Sequence, residues 1–343
     1  MKSVWLIGRD YINWSIDQDH LNFKKVLKEE GHSSPFPQFF ANTFLIVWWS
    51  QAISMRYRIL KKIFPNKSWI GILTDDLEHQ KEQFLKCKEV IDFWVYANTK
   101  QKKFLQNQNI LEDHMFYCPY YVDEETFRDL GKTKEELCRL LNIPYERIGG
   151  KFLIGSFQRD SLGIDLTKQK WQKNPELLIN VLKGINKEKY LLVLAGPRRH
   201  YIINKCVQNK IPYLFIGDDS LIKGGKDDIK ENTLGLNKIA LLYNLIDLYV
   251  VTSKSEGGPK AVIEAPISKK PIFSTPVGMA PDLLIEESLC SSRTEFINKI
   301  EKLIKDTNFR KKIIDGNYWK VSKINNWKSF KKRVEEIICK AKK

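Results

Sequence analysis

Ser253-Lys254-Ser255-Glu256-Gly257-Gly258-Pro259-Lys260-Ala261-Val262-Ile263-Glu264-Ala265 begins directly after Leu248-Tyr249-Val250-Val251, Thr252 alone lying between. The apolar run reads as a strand buried on both faces. The pair Gly257-Gly258 lets backbone approach a ligand without Cβ interference. Pro259 suits the first position of a helix, where its missing N–H costs nothing. A helix N-terminus presents free N–H groups and a positive dipole end, which together favour an anion. Glu256 stands just ahead of that helix and Glu264 eight residues further on. Two carboxylates so placed can accept hydrogen bonds from hydroxyls flanking a diphosphate, as in sugar–diphosphate–ribose. The plainer reading is a strand–loop–helix connection with two surface glutamates.

The same alternation runs outward in both directions. Val4–Ile7, Trp69–Leu73, Phe93–Ala97, Phe152–Gly155, Leu191–Gly196, Tyr213–Gly217 and Pro271–Ser274 are short apolar runs separated by helical patterns. This is the signature of parallel strands in an α/β, doubly wound architecture, where ligands sit beyond the carboxyl ends of the strands. Asn142-Ile143-Pro144 and Gly149-Gly150 break the pattern before a fresh strand. The expected division is therefore 1–148 as a first Rossmann-like domain and 149–326 as a second. Residues 327–343 read as a basic amphipathic helix packing back toward the first. With two domains, the cleft between them is the expected site.

Among 343 residues, 43% are hydrophobic and 29% charged, which excludes collagen-like, disordered and small disulfide-stapled chains. Six scattered cysteines without a CxxC pair support neither a zinc site nor a disulfide framework. The N-terminus lacks a signal-peptide pattern and no apolar run approaches the ~20 residues of a membrane span. A cytoplasmic protein is expected. The net charge of +16 is uneven: residues 1–150 carry 21 Lys or Arg against 20 Asp or Glu, and 151–343 carry 36 against 21. A basic surface suits nucleic acid, anionic membranes or phosphorylated substrates. No nucleic-acid module signature is present, so no nucleic-acid partner is expected.

The glycine-containing stretch resembles the donor-binding E-x7-E motif of retaining glycosyltransferase family 4, whose fold is GT-B. Leu241–Val250, Lys270–Asp282, Leu191–Pro197 and Cys118–Asp123 are similar to that family's flanking segments, in order. The resemblance covers about 118–330 well and 1–117 only in general pattern. It implies transfer of a sugar from a nucleotide-diphosphate sugar to an acceptor hydroxyl with retention. Glu256 would hold sugar hydroxyls, Glu264 the ribose, and the backbone of Gly257, Gly258, Pro259 and Lys260 the diphosphate. Arg159 and Lys173 would neutralise the leaving diphosphate, and Gly8-Arg9-Asp10 would form a loop near it. Three features depart from the family pattern: a long 159–173 interval, Pro266 inside the motif helix, and a long 218–237 connection near the expected base.

On the acceptor side, Thr74-Asp75-Asp76-Leu77-Glu78-His79 follows a strand. Asp75, Asp76 or His79 is expected at the acceptor hydroxyl or the sugar, unless an Asp merely caps the next helix. Asp17-Gln18-Asp19, the sole Asp-x-Asp, reads as a helix cap, and Arg198-Arg199-His200 as a solvated loop. No metal and no cofactor beyond the donor are expected. Between Glu30 and Asp75 there is no acidic residue, while Arg56, Arg58, Lys61, Lys62 and Lys67 are basic. Trp49, Ile53, Tyr57, Leu60 and Phe64 recur at helical spacing, with Arg58, Lys61 and Lys62 opposite. Such a helix packs its stripe on a sheet or lies on an anionic leaflet through residues 44–67. The leading expectation is thus a transferase acting on a glycan or lipid-linked glycan in surface polysaccharide synthesis, at the inner face of a membrane. A nucleotide-sugar epimerase of the same fold and a non-catalytic sugar-nucleotide binding subunit are the alternatives.

Overall fold

The computed structural model describes residues 2–11 and 15–341; residues 1, 12–14, 342 and 343, among them the last two lysines of the expected basic helix, lie outside the described residues. The chain forms two units, 1–121 with 324–343, and 122–323.

In the first unit, β1 (Val4–Ile7), α1 (Ser15–Glu29), β2 (Thr43–Ile46), α2 (Met55–Ile63), β3 (Ser68–Ile72), α3 (Lys81–Lys88), β4 (Phe93–Tyr96), α4 (Thr99–Asn107) and β5 (Met115–Tyr117) follow one another. The strands are all parallel and lie in sequence order β1-β2-β3-β4-β5. On the other edge of β1, Ser33 forms a single parallel bridge with Ser3, with Val4 N to Ser33 O at 2.8 Å. Ser33 thus stands where a doubly wound sheet has its second strand. Winding reverses after it, and β1 lies at the switch. Alternation along the strands splits the core into two. Val4, Leu45, Ile70 and Val95 pack with Phe23 and Val26 of α1. Trp5, Phe44, Trp69 and Trp94 face the opposite way with Phe84 and Leu105, and the rings of Phe44 and Trp69 stack at 4.2 Å.

The stripe expected on one helix across 44–67 is divided. Trp49 lies in a separate 3-10 turn, Trp49–Ile53, because Ser54 adopts extended backbone between the two pieces. Tyr57 and Leu60 pack on the core. Met55, Ile59 and Ile63 form a second stripe that is exposed (68%, 49% and 60%). The run of basic charge is answered in part from outside the segment, Arg58 pairing with Glu89 at 2.7 Å and Lys61 with Asp92 at 2.5 Å.

The second unit contains α5 (Lys134–Leu141), β6 (Phe152–Ser156), α6 (Pro175–Lys183), β7 (Tyr190–Ala195), α7 (His200–Asn209), β8 (Tyr213–Ile216), α8 (Asp219–Lys223), α9 (Leu236–Leu245), β9 (Leu248–Val251), α10 (Ala261–Ile267), β10 (Ile272–Ser274), α11 (Ala280–Leu283), α12 (Arg293–Lys305) and α13 (Thr307–Ile324). The parallel order β10-β9-β6-β7-β8 is doubly wound, with its switch point between β6 and β9. Leu192, Leu194, Val250 and Phe273 pack with Leu178, Ile202 and Phe296 from α6, α7 and α12.

The division falls after Tyr121 rather than at 148, for a reason found in α5 and the segment before it. Asn244 of α9 accepts from Leu130 N and donates to Arg128 O, both at 2.9 Å, and Lys134 pairs with Asp247 at 2.6 Å. Gly149-Gly150 is a turn with φ of +50° and +66°, leading into β6. The last helix, α14 (Trp327–Lys340), lies in the first unit. Its Phe330, Val334, Ile337 and Ile338 are buried against Phe23, Val26 and Leu27, and Glu335 meets His32 at 2.7 Å.

Candidate functional site

Two loops leave the carboxyl ends of β6 and β9 and meet at the switch point. The long interval after β6 folds on itself: Ser161 pairs with Gln169 as an antiparallel bridge, and Lys170 N returns to Asp160 O at 2.6 Å. That hairpin absorbs the extra residues and delivers Trp171–Lys173 to the β9 loop. There Gln172 O accepts from Lys254 N at 2.7 Å, and Thr252 Oγ1 donates to Asn174 O at 3.1 Å. Lys173 Nζ forms an ion pair with Glu256 Oε1, both side chains being largely buried (19% and 13% exposed). Ser253 Oγ donates to the same oxygen at 2.8 Å, and Gln158 bridges Lys173 O and Ser253 Oγ at 3.4 Å each. Lys173 and Glu256 are therefore brought together. Ser253, inside the quoted stretch, and Gln158, beside Arg159, were not singled out by sequence reasoning.

Helix α10 begins at Ala261, so Pro259 precedes it instead of opening it; the Pro259 carbonyl accepts from Val262 N at 3.0 Å. Pro266 lies inside the helix, which ends one residue later at Ile267. Lys269 follows with φ +52°, and Lys270 N closes on Ala265 O at 2.9 Å. Gly257 is buried and Gly258 and Lys260 are half-buried. A Cβ on Gly278 (φ +51°) would fall 2.8 Å from Gly257 O, so this glycine lets the following turn lie directly against the pair. Glu264 accepts from Tyr243 OH at 2.8 Å. Burial pushes its carboxyl above the usual range against the pull of Tyr243 and Lys260, and pushes the Tyr243 phenol well up. Tyr243, in the helix leading to the motif, was not read as functional.

Arg159 lies half-buried three residues beyond β6. Its neighbour Asp160 is buried and pairs at 2.8 Å with Arg199, which is wholly buried rather than in a solvated loop. Burial pushes the Asp160 carboxyl up to about 6 despite that cation. Arg198 instead faces outward and grips Asp227 at 2.6 and 3.0 Å. The long 218–237 connection is an integral part of this region: Asp228, fully buried, accepts from Arg198 N and Asn232 Nδ2, both at 2.7 Å. Beside it is an open cavity of ≈ 400 Å³ whose lining includes Ile143, Arg147, Phe215, Asp218, Glu231 and Lys238.

In the first unit Gly8 has φ +101°, and a Cβ there would lie 2.7 Å from Trp48 N. Its carbonyl meets His20 Nδ1 at 3.0 Å. Asp17, in the first turn of α1, also anchors this loop, accepting from Arg9 Nε at 3.1 Å and Asp10 N at 3.2 Å. Asp76 accepts from Glu78 N at 3.3 Å and pairs with Lys100 at 3.0 Å, which is a capping role. Asp75 follows the end of β3, accepting from Trp49 Nε1 at 3.2 Å and Thr74 Oγ1 at 2.9 Å, while His79 is exposed. Among the described residues no group of three or more His, Cys, Asp or Glu is arranged to hold a metal, and no helix is long and apolar enough to cross a membrane.

Residues 166–318 match the model of the family described as glycosyl transferases group 1. No curated protein matches the chain. Its fold is GT-B, as in HepE of Anabaena, solved with UDP-glucose (TM-score 0.75, 12% identity, 99% of this chain and 100% of that one). It is shared by sucrose-phosphate synthase of Thermosynechococcus elongatus (0.66, 13%, 94% and 78%) and a glycosyltransferase from Rickettsia africae (0.63, 16%, 99% and 98%).

Proposed function

We propose that the protein is a retaining glycosyltransferase that moves a sugar from a nucleotide-diphosphate sugar to an acceptor hydroxyl. The observation that carries this reading is the Lys173–Glu256–Ser253 cluster at the switch point of the second sheet. It lies inside the stretch similar to the group 1 transferases. The UDP-glucose named for the HepE structure supports uridine diphosphate sugars as the first donors to test.

Glu256 and Lys173 neutralise each other in this arrangement. An arriving diphosphate competes for the ammonium of Lys173 and releases the Glu256 carboxylate to accept hydrogen bonds from donor-sugar hydroxyls. Glu264, backed by Tyr243, accepts from the ribose. As the glycosidic bond breaks, negative charge builds on the diphosphate, and Arg159 and Lys173 stabilise it without a metal. Asp75 is the acceptor-side carboxylate. The acceptor is a glycan or a lipid-linked glycan held at an anionic membrane, in surface polysaccharide synthesis.

The test offers UDP-, GDP-, ADP- and dTDP-sugars to the wild type and to Glu256→Gln, Glu264→Ala and Arg159→Ala, following release of the nucleoside diphosphate. Glu256→Gln and Arg159→Ala should lower turnover, the latter by about 10²–10³-fold, the scale of one preorganised charge-stabilising donor. Glu264→Ala should act through donor affinity. Turnover should persist in EDTA. Wild-type turnover in all three variants, or loss in EDTA restored by a divalent cation, defeats the reading.

A further inference from the structure

The buried pair Asp160–Arg199 has no part in the site as proposed, and neither residue faces solvent. Taking a carboxylate and a guanidinium out of water costs several kcal/mol each, and an apolar pair of similar volume often serves stability as well. What an apolar pair lacks is the fixed fork of the guanidinium. Arg199 donates Nη1 to Gln158 O and Nη2 to Ser156 Oγ at 3.2 Å, and its Nε lies 2.8 Å from Asp160 Oδ2 as an ion pair without hydrogen-bond alignment. These three contacts fall on alternate residues, and Arg159 sits between the last two.

Asp160 is held from its other side by Ile202 N at 3.1 Å, at the start of α7. Its carbonyl accepts Lys170 N at 2.6 Å, the contact that closes the 161–169 hairpin ahead of Lys173. Gln158, whose carbonyl Arg199 holds, turns its side chain to Lys173 O and Ser253 Oγ. One ion pair therefore stands at the root of both the Arg159 arm and the Lys173 arm.

We infer that Arg199 is a positioning residue: paired with Asp160, it fixes the backbone on either side of Arg159 and, through Gln158, the Ser253–Glu256–Lys173 cluster. This inference rests on the donor-site reading above. A lysine at 199 keeps the charge and loses the fork, so it reaches one of the three acceptors and leaves the loop free to shift. A misplacement on the order of 1 Å at a reacting group costs roughly 10²-fold in rate.

The experiment measures kcat and KM for UDP-glucose, GDP-mannose, ADP-glucose and dTDP-glucose, read as nucleoside diphosphate release with water as acceptor. The variants are Arg199→Lys, the isosteric Asp160→Asn and the milder Ser156→Ala, each alone and with Arg159→Ala, with circular dichroism and melting to establish folding. Arg199→Lys and Asp160→Asn should lower kcat by roughly ten- to a hundredfold, with donor KM changed by less than about threefold. In the Arg159→Ala background the same changes should cost less than they do alone, because the part that acts through Arg159 is already lost and only the part through Lys173 remains, the non-additivity of residues acting through one another. Ser156→Ala removes one contact and keeps the pair, so it should fold even where the others do not, and lower kcat in the same non-additive way. Wild-type kcat in the folded variants, or losses that multiply in full with Arg159→Ala, overturns the inference alone. A wild type that neither binds nor turns over any of the four donors removes the donor-site reading, and this inference with it, before a variant is made.

Discussion

Glu264 differs from Glu256 in what surrounds it, and that difference is measurable. Glu256 shares its charge with Lys173 and Ser253. Glu264 accepts from the phenol of Tyr243, and burial outweighs both that bond and Lys260, so it takes up a proton at higher pH than an exposed glutamate. If its carboxylate accepts from the ribose, donor affinity is full above the raised value and falls as pH drops through it. UDP-glucose suits calorimetry across this range because its diphosphate, a diester, keeps its charge. Affinity should weaken on acidification, and Glu264→Gln should flatten that slope while lowering the plateau. A slope unchanged in Glu264→Gln assigns the titration to another group. At this scale the residues of the E-x7-E spacing were legible. Arg199 was not: a charged side chain in a sequence carries no mark of whether an aspartate 39 positions earlier will be folded against it.

Among the elements, α2 is the one whose sequence pattern misled. The spacing of Trp49, Ile53, Tyr57, Leu60 and Phe64 predicts one inward stripe, but Trp49 and Ile53 lie in a separate turn, Ile53 is exposed, and the nine-residue helix packs Tyr57 and Leu60 inward while turning Met55, Ile59 and Ile63 outward. Phe39 and Phe40 are exposed as well, and Phe39 stacks on Phe64 at 6.2 Å, with Lys67 Nζ bonded to Phe39 O at 2.7 Å. Arg58 and Lys61 meet acids of their own unit, whereas Arg56 lies over the Trp5 ring and Lys67 over the Phe64 ring. A membrane role therefore predicts a different variant from the one the charge pattern suggests. Ile59→Glu with Ile63→Glu should abolish co-sedimentation with anionic vesicles at low salt and leave folding intact, since both side chains are exposed. Arg58→Glu should matter less, its partner being Glu89. Each surface-proximal cation contributes about 1 kcal/mol, so salt should weaken binding. Failure of the wild type to bind anionic vesicles at low salt ends the membrane reading.

For the whole molecule, the two units predict separable behaviour. Helix α14 buries Phe330, Val334, Ile337 and Ile338 in the first unit. At about 1.5–3 kcal/mol for each large apolar side chain, their removal approaches the ~5–15 kcal/mol that holds a typical domain. Deleting 324–343 should strip amide protection from 2–121 and leave that of 122–323 near wild type; hydrogen exchange reads both. A donor at 100 times its dissociation constant should add about 2.7 kcal/mol to the unit that binds it. UDP-glucose is thus expected to protect 122–323 first. Protection confined to 2–121 would contradict the assignment of donor residues to the second unit.

The sequence by itself determined the alternation of buried strands and helices, because local apolar periodicity is set by neighbours in the chain. It determined as well the strand–glycine–helix stretch and the carboxylates at 256 and 264, since those depend on spacing within a dozen residues. Tertiary structure alone decided that 122–148 joins the second unit, that the 161–169 hairpin carries Lys173 to Glu256, and that Arg199 is buried against Asp160. Each of these joins residues tens of positions apart, and such pairings follow from how elements pack, which no local pattern encodes.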